Sequence, residues 1–189
     1  MPKGYELPKS TGNYTKFDKG VNRLRILDGP LVGWEDWKDG KPVRFAYTDK
    51  PDYPIVQDKP IKHFWAFKVW NYDAKKIQIW GITQSTIQKE LMRLKMDEDW
   101  GDPTQYDLKI TKEGDGLETK YAVGTGQIKE LTEEVADKDS KVQVDLEKLL
   151  GGLDPFAFEA TSKRDTVTSE DEVPVIDVEE DVDTDKIPW

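Results

Sequence analysis

The chain has 189 residues, 36% of them hydrophobic and 35% charged, with a formal net charge of −10. That length holds one sizeable domain with extensions and excludes two full cores; the low apolar share points to a core diluted by a segment that does not pack. The absence of cysteine excludes disulfides and thiolate zinc sites. No apolar run approaches a membrane span and the start, MPKGYELPKS, lacks a signal-peptide stretch, so a cytoplasmic protein without membrane contact is expected.

Residues 1–18 are polar with scattered aromatics and read as a loosely held arm. From Val21 to Leu27 apolar and polar residues alternate, and Asp28-Gly29-Pro30 punctuates the strand. Leu31 to Trp37 and Val43 to Tyr47 flank Asp39-Gly40, a strong hairpin signal. Residues 48–60 carry three prolines and no periodicity, which predicts a long loop. Ile61 to Tyr72 and Lys76 to Ile82 are the clearest strands, joined around Asp73-Ala74-Lys75. Ser85 and Gln88 have capping-box spacing, and Ile87, Leu91 and Leu94 fall at helical intervals, which predicts an amphipathic helix over 85–95.

Tyr106 to Thr111 and Thr119 to Val123 flank a Gly114-Asp115-Gly116 turn, and Val144 to Leu150 reads as a short helical extension. Gly124-Thr125-Gly126 reads as turn punctuation. Five to six strands with one helix inserted after the fourth fit a mainly β fold, an OB-like Greek-key barrel. The organisation expected is an arm at 1–18, a β-domain at 19–128, a partly helical extension at 129–164 and a disordered acidic tail at 165–189.

Charge and aromatic residues are unevenly placed. Residues 165–189 hold ten acidic residues and one lysine, whereas residues 1–80 hold fifteen basic residues against ten acidic. Fourteen of the twenty aromatic residues lie in the same basic stretch. Alternation along the two central strands, with Trp70 set opposite Gln78 and Lys68 opposite Trp80, gives one core face of Trp65, Phe67, Val69, Ile77 and Ile79. The other face then presents Phe64, Lys68, Trp70, Tyr72, Lys76, Gln78 and Trp80, with Lys62 beside it and Arg23 and Arg25 extending it by one strand. Rings interleaved with cations suit single-stranded nucleic acid, since bases stack on rings while cations follow phosphates. Tryptophans in strands also commonly belong to cores, and a slip of one residue would turn these side chains inward.

The tail ends Asp183-Thr184-Asp185-Lys186-Ile187-Pro188-Trp189. A charge run alone is a solubility device, but a terminal ring, a branched aliphatic, a stiffened backbone and a carboxylate together are what a basic-rimmed apolar pocket captures. This end resembles the acidic tip of bacterial single-stranded DNA-binding proteins, which finishes in aspartates followed by Ile-Pro-Phe. It departs from that tip in Lys186 and in Trp189 for Phe. The segment HFWAFKVWNYDAKKIQIWGITQSTIQKEL, residues 63–91, resembles the core of phage single-stranded DNA-binding proteins, and the likeness extends more weakly over residues 20–125.

The resemblance implies an OB fold and sequence-tolerant binding of single-stranded DNA in phage replication, recombination and repair. It also implies recruitment of a polymerase, helicase or nuclease through Asp183, Asp185, Ile187, Pro188 and Trp189. Some phage relatives hold a structural zinc; with no cysteine and one histidine, no metal or cofactor is expected here. Whether the protein is a monomer or a dimer is left open.

An enzyme is not expected. His63 is the one histidine, and no nucleophile stands beside a base at readable spacing. Asp97-Glu98-Asp99 lacks calcium-loop spacing. Two rival readings remain: a carbohydrate-binding β-module using the same rings, and an acidic regulatory protein that binds a nucleic-acid enzyme without touching DNA.

Overall fold

The computed structural model describes residues 12–57 and 59–156; the acidic tail, and with it Asp183, Asp185, Ile187, Pro188 and Trp189, lies outside them. The described chain is mainly β. Six strands, β1 (Gly20–Lys38), β2 (Lys41–Ala46), β3 (Lys62–Asn71), β4 (Lys76–Ile82), β5 (Tyr106–Glu113) and β6 (Lys120–Ile128), form one antiparallel sheet in the order β4-β3-β1-β5-β6, with β2 also on β1. Helix α1 (Ser85–Met96) connects β4 to β5, and α2 (Glu133–Lys141) follows β6.

β1 combines the two segments expected separately. Its first part pairs with β5 and its last part with β2, while β3 follows it through two register shifts between Ile26 and Leu31. Such irregularities bend a strand without ending it. Gly29 sits in this bend at φ 111°, where a Cβ would lie 3.0 Å from the Ala66 carbonyl oxygen, so only glycine fits. The β1–β2 hairpin turns at Asp39-Gly40, both with positive φ, as its sequence expects.

The main core lies on one side of the sheet. Leu24, Ile26, Trp65, Phe67, Val69, Trp80, Leu108 and Ile110 pack there against Ile87, Leu91 and Leu94 of α1. α1 lacks the expected capping box: Gln88 turns inward and its Nε2 donates to the carbonyls of His63 (3.0 Å) and Ile82 (3.1 Å). That tie fixes the helix to the sheet instead of to its own first turn.

The sheet is not closed, since among the described residues no ladder joins β4 to β6, so the mainly β class holds without a confirmed barrel. Residues 13–15, expected in a loose arm, hydrogen-bond along β4 instead: Thr15 N donates to Ile79 O and Ile79 N donates to Asn13 O, both at 2.8 Å. Phe17 then fills the gap, its ring 5.8 Å from Trp80 and 6.1 Å from Tyr121 of β6.

The other side of β3 and β4 is covered by the segment after β6. Phe64, Ala66 and Ile79 pack against Leu149, and Trp70 and Ile77 against Val135 of α2. Lys68 is drawn into the same contact, with its Nζ 2.7 Å from Asp139 Oδ1 and donating to the Val142 carbonyl at 2.8 Å. Val135 is the only buried residue of α2, so it anchors that helix. Truncating it to alanine is expected to cost ~2 kcal/mol of folding stability, by the methyl groups withdrawn from an apolar contact; urea denaturation measures this.

Candidate nucleic-acid interface

The structure does not expose the face expected on β3 and β4. The register is offset by one residue: Asn71, not Tyr72, stands opposite Lys76, so Trp70 pairs with Ile77, Lys68 with Ile79 and Phe67 with Trp80. Trp80 therefore joins the main core with Phe67, while Ile77 and Ile79 move to the side of Phe64 and Trp70 and make it apolar enough to require a cover. Phe64, Lys68, Trp70, Trp80 and Arg25 are all buried and offer no surface to a strand. Lys76 is half-buried and already engaged. Lys62, Arg23 and Tyr72 keep exposed parts, but the fold does not bring these three to one patch.

Arg23 and Arg25 meet instead at a buried carboxylate. Asp107 accepts hydrogen bonds from Arg23, from Arg25 Nη1 (3.4 Å) and from the Tyr72 hydroxyl (2.9 Å), and Lys129 Nζ lies 3.0 Å away. Arg25 also donates to the carbonyls of Thr104 (2.8 Å) and Lys129 (2.6 Å), which pins the start of the covering segment to the sheet. Burial pushes the Asp107 carboxyl up, but the hydrogen bonds from Arg23, Lys129 and Tyr72 outweigh it and hold the group below its ordinary value. Burial, then donation to Asp107, raises the Tyr72 phenol. The Arg23 guanidinium lies 4.1 Å from the Tyr72 ring centroid.

Accessible rings lie elsewhere, at the β1–β2 hairpin, where exposed Tyr47 covers half-buried Trp34. Trp34 of β1 and Tyr47, directly after β2, stack with planes 12° apart and centroids 6.1 Å apart. Three contacts hold this pair. Trp34 Nε1 donates to the Tyr47 carbonyl (3.0 Å), Lys50 Nζ sits 4.4 Å from the Trp34 ring, and His63 of β3 packs 5.1 Å from it. The loop beyond is tied down by Asp36, which is buried and accepts from Ile55 N at 2.6 Å. Tyr47 is 61% and Tyr53 84% exposed; Lys62, though exposed, stands opposite Glu35 and so points to the other face of the sheet from His63 and Trp34.

From this pair a series of rings runs inward: His63 to Trp65 at 5.9 Å, then Trp65 to Phe67 at 6.2 Å. It ends at a cavity of about 250 Å³ lined by Val32, Trp65, Phe67, Leu91 and Met92 among others. Sequence reasoning passed over Trp34, Tyr47 and Lys50. The signal for them is their position flanking a hairpin, where half the side chains have no second sheet to meet. Among the described residues no cluster of side chains is fit to hold a metal ion, and no helix is long and apolar enough to cross a membrane.

No protein-family model matches the chain, and no similar curated protein or solved structure was found.

Proposed function

We propose that the protein binds single-stranded DNA without sequence preference, through bases stacked at Tyr47 and Trp34 with Lys50 alongside. The observation that carries this reading is the stacked pair of exposed Tyr47 and half-buried Trp34, held by a hydrogen bond and flanked by the Lys50 ammonium. Every base has a flat face, so such a platform is indifferent to sequence. The strand order, with α1 between β4 and β5, supports an OB-like architecture, and the segment 63–91 and the Ile187-Pro188-Trp189 terminus support a phage protein of this kind. On that reading it protects single strands during replication, recombination and repair, and its acidic end recruits a polymerase, helicase or nuclease.

Oligo-dT is expected to quench the tryptophan fluorescence, with a midpoint that weakens as salt rises. Trp34→Ala and Tyr47→Ala should each weaken the complex by ~1–3 kcal/mol, the loss of one stack. Quenching by an oligosaccharide and not by oligo-dT would transfer the platform to sugar rings. Failure to shift single-stranded DNA at all would favour the regulatory reading.

A further inference from the structure

Glycine weakens a strand, and where neither packing nor backbone angle requires it, it marks a close approach by something else. β6 is such a case. Gly124 and Gly126, expected in a turn, lie inside β6, and with Ala122 they alternate with Tyr121, Val123 and Thr125. Tyr121 and Val123 pack on the main core, so Ala122, Gly124 and Gly126 form the outward side. At Gly124 an added Cβ would meet only Lys109 Cβ and O at 3.8 Å, ordinary contact, and its φ lies outside the left-handed region. The fold has room for a side chain there.

The row across this floor is basic. Gly124 pairs with Lys109, and Lys109 pairs with Arg23. Lys109 is exposed and makes no ion pair or hydrogen bond among the described residues. Arg23 and Lys129, with side chains 43% and 40% exposed, share the single Asp107 carboxylate with Arg25, so one anion faces three cations. The neighbouring acids include Asp73, which accepts from Arg23 N at 3.3 Å, Glu113, which stands opposite Lys120, and the exposed Glu130 directly after Lys129. Basic groups remain in excess beside a floor without side chains.

We infer that the outward side of β1, β5 and β6 seats the phosphodiester backbone of a nucleic-acid strand, with Gly124 and Gly126 as the floor and Arg23, Lys109 and Lys129 as the rim. This site lies on the side of the sheet that carries Arg23, not the side of Val32 and Trp34. It shares a ligand class with the platform but not a location, so the two readings fail separately.

The test uses the full chain with two probes, oligo-dT and inorganic polyphosphate, the second having no bases to stack. Gly124→Gln is expected to keep or raise the melting temperature while weakening both probes at least fivefold. Lys109→Gln should lower the slope of log affinity against log salt for oligo-dT by about 0.7, the share of one phosphate contact on a single strand. Wild-type affinity and slope in both variants would overturn the inference and leave the Trp34 platform untouched. So would a Gly124→Gln variant whose only change is its sedimentation mass, since the floor would then join copies of the chain. Weakened polyphosphate binding with no tryptophan quenching by oligo-dT would uphold the floor and remove the platform.

Discussion

Asp107→Asn is expected to lower folding stability by ~3–5 kcal/mol, the range for removing one member of a buried ion pair. The volume hardly changes, so the loss comes from charge: Arg23, Arg25 and Lys129 would be left around an amide. The pH dependence follows from the depressed carboxyl. A carboxylate whose folded pKa is below its unfolded value contributes its stability above the unfolded value and loses it as pH falls through the folded one. Denaturant melts of the parent should therefore lose stability on acidification below the ordinary carboxylate range. The Asp107→Asn protein should lose less over the same interval. Parallel curves would show that Asp107 is not the group responsible.

The second large effect concerns the two tryptophans that the sequence reading sets on the surface. Trp70→Ala and Trp80→Ala should each cost ~3–5 kcal/mol of folding stability, as for other large aromatic truncations in a core. Trp80 lies among Phe67 and Phe17, and Trp70 lies beneath α2, with Lys138 Nζ 4.7 Å from its ring. Where either variant still folds, its affinity for oligo-dT should match the parent. A stable protein with weakened DNA binding would put those rings back on the interface.

These rings were misplaced for a local reason. The strands β3 and β4 are legible because alternation and β-branched or aromatic residues mark them, and α1 because Ile87, Leu91 and Leu94 share one face. The register between the strands depends on a turn. Asn71 Oδ1 accepts from the amides of Asp73 (2.9 Å) and Ala74 (3.1 Å), and Lys75 takes a positive φ. The turn thus spans Tyr72 to Lys75, one residue more than Asp73-Ala74-Lys75, and the side chains of β4 change faces. An asparagine side chain standing in for backbone acceptors leaves no trace in hydrophobic periodicity.

The cover over β3 was hidden for a different reason. α2 has a single buried residue, Val135, so no apolar stripe announces it, and its partners Trp70 and Ile77 lie some sixty residues earlier. The extension was legible as helical only near Val144 to Leu150, where a 3-10 turn spans Leu146–Leu149. The hairpin at Asp39-Gly40 was fully legible, yet not its use. Trp34 and Tyr47 look like ordinary strand residues until their stacking and the exposure of Tyr47 are seen.

The pairing of residues 13–15 with β4 bears on how the chain should be handled. Those few residues occupy the Ile79 amide and carbonyl that would otherwise form a bare sheet margin. A truncation that begins at the first residue of β1 would strip away this guard and Phe17 together. It would leave a hydrophobic strand edge open to pairing between molecules, the usual start of self-association in β proteins.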